Sequence, residues 1–179
     1  MRKLIIAAAA FAAAIAGGSG LLIGAGPTSV RADHICEQSY EWPTNRHTYT
    51  FVCFTGTWVQ ARADAESRGG HLATLTSVQE NDAVDEAFDT DHDAWIGGYQ
   101  PNPGVDEPVG GWAWVTGEPW SFTAWASGEP NDVGGEDFLQ WWLSDGWNDA
   151  SETHQEVAYI LEVGPAFEVG IFDEWTGET

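Results

Sequence analysis

The spacing of apolar residues predicts two amphipathic helices in the first half of the chain. Residues 58–68 place an apolar residue every three or four positions, and Thr57 stands before them as an N-cap. A second helix begins at Ser77, which forms a capping box with Glu80, and extends to about Phe88. Each helix therefore has a start signal and one face that can pack against a core.

Short runs of aromatic and β-branched residues predict the strands. Such residues fit the half-buried surface of a sheet. The predicted strands lie at residues 47–54, 71–75, 94–99, 112–116, 138–143, 146–150 and 156–163. Two helices combined with many short strands indicate an α+β domain.

Two segments after the N-terminal region lack a regular pattern. Residues 33–46 are predicted to be an irregular leader, and residues 117–137 contain no clear helix or strand. An irregular stretch as long as the second is uncommon inside a compact domain and is often functional. The chain also has 11 tryptophans, most of which we assign to the core around this long loop.

The first 32 residues are predicted to be a secretory signal peptide. Arg2 and Lys3 precede an uncharged run of apolar and small residues that ends at Val30. Cleavage after Ala32 is favoured over cleavage after Ala16, because the earlier cut leaves an apolar segment in water. A retained membrane anchor is the alternative, but the glycines in this run weaken a spanning helix. We therefore expect a secreted or extracytoplasmic protein without a stable membrane anchor.

The chain is strongly acidic, with 28 Asp and Glu residues against 6 Lys and Arg residues. Three of the basic residues precede position 33, so the cleaved chain keeps 6 − 3 = 3 bases and a net charge of 3 − 28 = −25. Such a charge repels nucleic acids and anionic membranes, so we expect neither as a partner. It suits a protein that meets divalent cations or high salt, and the charge alone does not separate these two conditions.

Cys36 and Cys53 are the two cysteines of the chain. In an exported protein they are expected to form one disulfide near the start of the domain. A zinc site that adds His34 and His47 is the alternative, but the spacing of these four residues fits no familiar zinc pattern. The disulfide is therefore the prediction.

Oxygen-bearing side chains concentrate in "GEPNDVGGED" (128–137) and again in "GWNDA" (146–150). No lysine or arginine lies in either stretch, so the carboxylates repel one another unless a cation offsets them. Carboxylate and amide oxygens are the ligands of Ca²⁺, which takes about 6–8 of them. A solvated turn and a catalytic pair of Glu129 and Glu136 are the other interpretations. The alternation of carboxylates with amides favours binding, because together they can hold both the donor and the acceptor side of a sugar hydroxyl.

Taken in order, these residues resemble the C-type lectin domain. The resemblance rests on "TWVQARADAESRGGHLATLTS", "WIGGY", "WAWVTGEPW", "AWASGEPND", "GGED", "GWND" and "AYILEV". It covers residues 47–163 and implies a C-type lectin-like fold, in which two helices pack with short antiparallel strands and a long calcium-binding loop. It also implies a carbohydrate-binding domain that is not an enzyme, with residues 164–179 as a tail of unassigned role outside it.

The resemblance implies a calcium site built from the two acidic motifs. The implied calcium ligands are Glu129, Asn131, Glu136, Asn148 and Asp149. All of these except Asp149 would also hydrogen-bond the sugar, and the Glu-Pro-Asn order resembles family members that take mannose-type sugars. The Glu129–Pro130 peptide bond would be cis.

A second calcium site is implied beside the first. Its ligands would come from Asp132, Glu136, Asp137, Asp106 and Glu107.

The family usually has four cysteines at positions that here hold Ala65, Phe138, Glu152 and Leu161. We expect Ala65 to pack against Leu161, Phe138 to join the core, and Glu152 to lie at the surface.

Two functions are consistent with these observations. The first is a secreted calcium-dependent lectin for mannose-type glycans, which would gain useful avidity from the assembly of several copies. The second is a calcium-stabilised protein-binding or adhesive module that does not bind sugar. The intact Glu-Pro-Asn and Trp-Asn-Asp motifs favour the first.

Overall fold

The computed structural model of the chain describes residues 36–88, 92–142 and 145–165. The predicted signal peptide, residues 1–32, lies outside these ranges, as do the first residues of the leader and the tail from residue 166 onwards. Those assignments stay predictions. Across the described ranges, no helix is long and apolar enough to cross a membrane.

Both predicted helices are present, with bounds close to those expected. They are α1, Trp58–Ser67, and α2, Val78–Ala87. The strands are β1 (Gln38–Glu41), β2 (Thr48–Gly56), β3 (His71–Leu72), β4 (Ala94–Tyr99), β5 (Ala113–Trp114), β6 (Phe138–Trp142), β7 (Gly146–Ala150) and β8 (Glu156–Val163). A strand forms within each predicted run, and β1 forms where none was predicted.

The strands form one mixed sheet in the order β1-β2-β8-β4-β6-β7, with β3 paired to β8 and β5 paired to β4. Among the described strands, every pairing is antiparallel except that of β4 with β8, which is parallel where Trp95 faces Tyr159. The expectation of antiparallel strands is therefore wrong for this central pair. Parallel neighbours need a long crossover, and the chain from β5 to β7 supplies it.

The predicted leader is not irregular, because Gln38–Glu41 forms β1 and pairs antiparallel with β2. The predicted Cys36–Cys53 disulfide is present and links β2 to the residue two positions before β1. At the other end of β1, the Trp42 backbone N–H donates to the His47 carbonyl at 2.9 Å. Strand β1 thus covers the edge of β2, where unpaired backbone groups would otherwise be exposed. Its mostly polar sequence hid it from pattern analysis.

The N-terminus of α2 has one half of the predicted capping box. Ser77 Oγ accepts a hydrogen bond from the Glu80 backbone N–H at 3.2 Å. The Glu80 carboxylate instead accepts from the Tyr49 hydroxyl at 2.6 Å and from the Thr76 backbone N–H at 2.8 Å. Glu80 is only 4% exposed, and a buried carboxylate is costly unless hydrogen-bond donors surround it. Its carboxylate therefore bonds to Tyr49 and Thr76 and does not form the second half of the capping box.

Large aromatic side chains fill both faces of the sheet, as the tryptophan content predicts. The adjacent β4 residues Trp95 and Ile96 belong to two different clusters of buried side chains, which follows from the two-residue period of a strand. Trp95 Nε1 donates to the Gly56 carbonyl at 2.9 Å, and Trp58 Nε1 donates to the Ile96 carbonyl at 2.8 Å. Both indole donors are therefore satisfied inside the core.

The positions at which cysteines were expected by resemblance are filled as predicted. Ala65 and Leu161 lie in the same buried cluster. The Phe138 ring packs on the Trp58 ring with centroids 4.9 Å apart. Glu152 is exposed. Apolar packing of Ala65 and Leu161 thus replaces one disulfide. At the other, Phe138 packs in the core and Glu152 lies at the surface.

Residues 117–137, all of which are described, form no strand of their own, and their one β-bridge to the sheet joins Trp125 to Trp147. The Ala126 backbone N–H donates to the Trp147 carbonyl and the Trp147 N–H donates to the Ala124 carbonyl, both at 2.8 Å. The ring of Trp147 has three aromatic neighbours from the loop, with centroids 5.5 to 5.9 Å away: Trp120, Phe122 and Trp125. This packing brings the second half of the loop beside β7.

Candidate functional site

The two acidic motifs meet at the carboxylate of Asp149, which is fully buried on β7. Both of its oxygens accept the Asn131 backbone N–H at 3.0 Å, and Oδ2 also accepts the Asp132 backbone N–H at 2.8 Å. These bonds join the Glu-Pro-Asn segment of the loop to the Trp-Asn-Asp segment of the strand. A charged acceptor shared by two backbone donors is a strong anchor.

Between Asn131 and Glu136 the loop forms a turn held by side chains. The Val133 backbone N–H donates to Asn131 Oδ1 at 2.9 Å and to Glu136 Oε2 at 3.1 Å. Gly134 and Gly135 have φ values of 94° and 89°, a region that residues with a side chain disfavour. The turn brings Glu136 back toward the residues that precede it.

Three carboxylates of the predicted calcium site share one region. Burial raises the pKa of Glu129, and its contact with the Asp149 carboxylate raises it further, whereas the hydrogen bond from Asn131 lowers it. Burial and then repulsion from Asp149 raise the pKa of Glu136. No lysine or arginine lies in residues 117–137. Oxygen ligands that repel one another in a loop without bases fit a hard divalent cation.

Asn148 is the amide of the strand segment and is 8% exposed. Its Nδ2 donates to Gln140 Oε1 at 2.8 Å, and the two residues are direct partners across β6 and β7. The nitrogen of this amide is used toward the sheet, so its oxygen is the atom suited to a cation. The Glu129–Pro130 bond is cis, as the resemblance implied.

The residues of the implied second site are only partly brought together. Burial raises the pKa of Asp137, and repulsion from Glu107, Asp132 and Glu152 raises it further, so each of these three carboxylates lies near Asp137. Asp106 is instead part of a turn, in which its backbone carbonyl accepts from the Gly110 N–H at 2.7 Å. Sequence reasoning therefore missed Glu152 as a member of this group, because its position was assigned only as a surface replacement for a cysteine.

Glu129, Asn131, Glu136 and Asp149 are neighbours, but their oxygens are engaged in hydrogen bonds within the protein. Within the described residues, no group of three or more His, Cys, Asp and Glu side chains is arranged to hold a metal ion. Asp149 accepts loop N–H groups, while Glu129 accepts from Asn131 and Glu136 accepts from Val133. A cage at this place would exchange some of these hydrogen bonds for bonds to the cation.

Comparison with protein families gives a match to the family described as "Lectin C-type domain" over residues 55–159. The match includes both acidic motifs and begins just before α1. It therefore spans the elements that position the candidate site.

Individual proteins show the same similarity. The hepatic lectin of Gallus gallus is 34% identical over 130 residues, which are 70% of this chain and 59% of that protein. A type-2 ice-structuring protein of Hemitripterus americanus is 31% identical over 109 residues, which are 61% of this chain and 62% of that protein. The chain thus spans about three-fifths of the length of these relatives. The cow C-type carbohydrate-recognition domain of CD23, solved in the presence of a GlcNAc2Man3 oligosaccharide, superposes with a TM-score of 0.57 at 27% identity, covering 66% of this chain and 88% of that one.

Proposed function

Because the chain belongs to the family of lectin C-type domains, we propose that it is a carbohydrate-binding module that takes its ligand through a calcium ion. The observation that carries the proposal is the junction at Asp149, where one buried carboxylate holds the Glu-Pro-Asn loop against the Trp-Asn-Asp strand. This junction brings the oxygen-bearing side chains of the two motifs together, and a bound cation would replace some of the hydrogen bonds among them. The alternation of carboxylates with amides in these motifs supports binding rather than catalysis.

The proposed ligands of this calcium ion are the five residues named from the sequence: Glu129, Asn131, Glu136, Asn148 and Asp149. Bound calcium would supply open coordination positions for two neighbouring sugar hydroxyls. Each hydroxyl would then donate to a carboxylate, from Glu129 or Glu136, and accept from an amide of Asn131 or Asn148. This alternation underlies the proposed preference for mannose-type glycans.

A second calcium ion is proposed at the neighbouring carboxylates of Asp132, Asp137 and Glu107, with Glu136 shared between the sites. The mutual repulsion at Asp137 supports it. Glu107 is oriented by Gln100 Nε2, which donates to its Oε2 at 2.8 Å, and by the Gly104 backbone N–H at 2.9 Å from its Oε1. Glu152 is added to the proposed set, and Asp106 is its least supported member.

Export after cleavage at Ala32 and display in several copies complete the proposal. A shallow diol contact is weak by itself, and several linked copies raise avidity without any new contact. The alternative is a calcium-stabilised protein-binding or adhesive module without sugar binding. It is favoured by one observation, that the candidate ligand oxygens already satisfy hydrogen bonds inside the loop.

Exchanging donor and acceptor at two positions tests the assigned roles. We expect Glu129→Gln with Asn131→Asp to weaken mannose binding by roughly tenfold or more, about 1.4 kcal/mol, and to favour galactose. The side chains of residues 129 and 131 are hydrogen-bonded to each other, and the exchange keeps this contact with its direction reversed. The loop should therefore keep its fold while its selectivity changes. Competition binding with the two free sugars in calcium measures the ratio.

The control is Glu86→Gln with Asn102→Asp, which makes the same two chemical changes at exposed positions outside the loop. It should leave the selectivity of the parent protein unchanged. Unchanged selectivity in the 129/131 variant, with calcium binding retained, would contradict the roles given to these residues.

A further inference from the structure

A line of hydrogen-bonded, buried polar side chains leads from Asn148 through Gln140 to Glu156. Asn148 Nδ2 donates to Gln140 Oε1 at 2.8 Å, and Gln140 Nε2 donates to Glu156 Oε1 at 2.5 Å. His154 Nε2 contacts the same Glu156 oxygen at 2.6 Å. Gln140 is 4% exposed and Glu156 is 7% exposed, so both belong to the interior of the sheet rather than to its surface.

The chemistry of Glu156 fixes the direction of every bond in this line. An ionised carboxylate can only accept, so the neighbouring Gln140 must present its NH₂ group to Glu156. The carbonyl oxygen of Gln140 then points the other way and accepts from Asn148. Asn148 in turn uses its nitrogen toward Gln140, which leaves its carbonyl oxygen outside this line. Burial raises the pKa of Glu156, whereas the contact with His154 lowers it and so favours the ionised, accepting form.

Burial of this line needs an explanation other than stability. A buried carboxylate and amide cost free energy to desolvate, and apolar side chains of similar size are often as stable at such positions. On the opposite face of β6, the residues that flank Gln140 in sequence, Leu139 and Trp141, are apolar and 0% and 2% exposed. A buried amide and carboxylate joined across the sheet therefore indicate a specific task.

We propose that Glu156 and Gln140 are positioning residues that orient the Asn148 amide so that its oxygen faces the calcium site, and thereby set the calcium affinity. The inference rests on the proposed function, since it gives Asn148 the role of ligand. It assigns a role to two residues that no acidic motif contains. Without the fixed carboxylate, the amides of residues 140 and 148 can rotate by half a turn and present nitrogen to the cation.

The test is isothermal calorimetry of calcium binding by the purified protein and its variants. We expect Glu156→Gln to weaken calcium binding by about 10- to 100-fold, because an amide at position 156 can donate as well as accept. The exchange of Gln140→Glu with Glu156→Gln should restore the affinity to within about threefold of the parent. The new carboxylate at position 140 accepts from Asn148, and the new amide at position 156 donates to it while accepting from His154.

The matched control is Glu162→Gln, which removes another buried carboxylate on β8 that is 2% exposed. Glu162 accepts from Thr74 and contacts His47, away from Asn148. This control should lower the melting temperature and leave calcium affinity unchanged. Loss of affinity in the control to the same extent as in Glu156→Gln would overturn the positioning role.

The outcomes separate this inference from the proposed function. A parent protein that does not bind calcium overturns both. A parent that binds calcium, with Glu156→Gln binding equally well, overturns the inference alone. If Glu156→Gln does not fold, the double variant decides, because a folded double variant without calcium binding contradicts the orientation argument.

Discussion

We expect Asp149→Ala to abolish calcium binding and to leave the long loop equally sensitive to proteolysis with and without calcium. Asp149 is fully buried and accepts hydrogen bonds from two backbone N–H groups, those of Asn131, shared between both carboxylate oxygens, and Asp132. Hydrogen bonds to a charged group contribute roughly 1.5–3 kcal/mol each, so the loop should also be held less firmly in the absence of calcium. The substitution removes both the hydrogen bonds that hold the loop and a proposed calcium ligand, and both losses make the loop easier to cleave.

Limited proteolysis measures this effect if the protease suits the loop. Residues 117–137 contain no lysine or arginine, so trypsin has no site there, whereas chymotrypsin can cut after Trp120, Phe122 and Trp125. In the parent protein, calcium should slow these cuts, and EDTA should restore them. The control Asp82→Ala removes an exposed carboxylate on α2 and should keep the calcium protection. A parent loop that is cut equally fast in calcium and in EDTA would rule out the cage.

The second large effect is expected from salt. We expect the melting temperature in EDTA to rise by more than about 10 °C between 0.01 M and 1 M NaCl, equivalent to roughly 3 kcal/mol. After residue 32 the chain has 3 − 28 = −25 formal charges. The screening length falls from about 30 Å to about 3 Å over this range, so the repulsion among these charges is largely removed.

The basic residues of the domain cannot offset the repulsion among its carboxylates. Its three arginines are already engaged with carboxylates, in the pairs Arg46–Glu41, Arg62–Glu66, Arg68–Glu37 and Arg68–Asp64. A variant with three exposed acids neutralised, Asp82→Asn, Glu86→Gln and Asp145→Asn, should melt higher at low salt and respond less to NaCl. General effects of salt on water act on both proteins equally, so the difference isolates charge repulsion. Equal salt responses in the two proteins would refute it.

The sequence predicted the parts of the fold that local patterns control. The two helices follow from their apolar spacing, and the disulfide follows from the number of cysteines. Strand β1 was missed because its residues are polar and its reason for forming is the edge of β2, which is a tertiary feature. The prediction of a complete capping box was wrong for a similar reason. The Glu80 carboxylate accepts hydrogen bonds from Tyr49 and Thr76, which only the tertiary structure brings near it.

Some residues of the candidate site could likewise be predicted from local sequence patterns, and others could not. Glu129 and Asp149 could be found from sequence because their motifs concentrate oxygen ligands in short stretches. Gln140 and Glu156 could not, because each lies in an apolar strand and reaches Asn148 only through the register of β6, β7 and β8. Glu152 gave only the weak signal of a charge at a position where a cysteine was expected. Cross-strand partners of this kind are visible only once the sheet is known.

The most direct test of the central claim is a glycan array probed with the purified protein in calcium and again in EDTA. We expect binding to mannose-type glycans in calcium and its loss in EDTA, and a multivalent display of the protein should be used because each contact is weak. That result would connect the metal, the site and the ligand class. Absence of glycan binding in calcium by a multivalent display that demonstrably binds calcium would contradict the account and favour the protein-binding module.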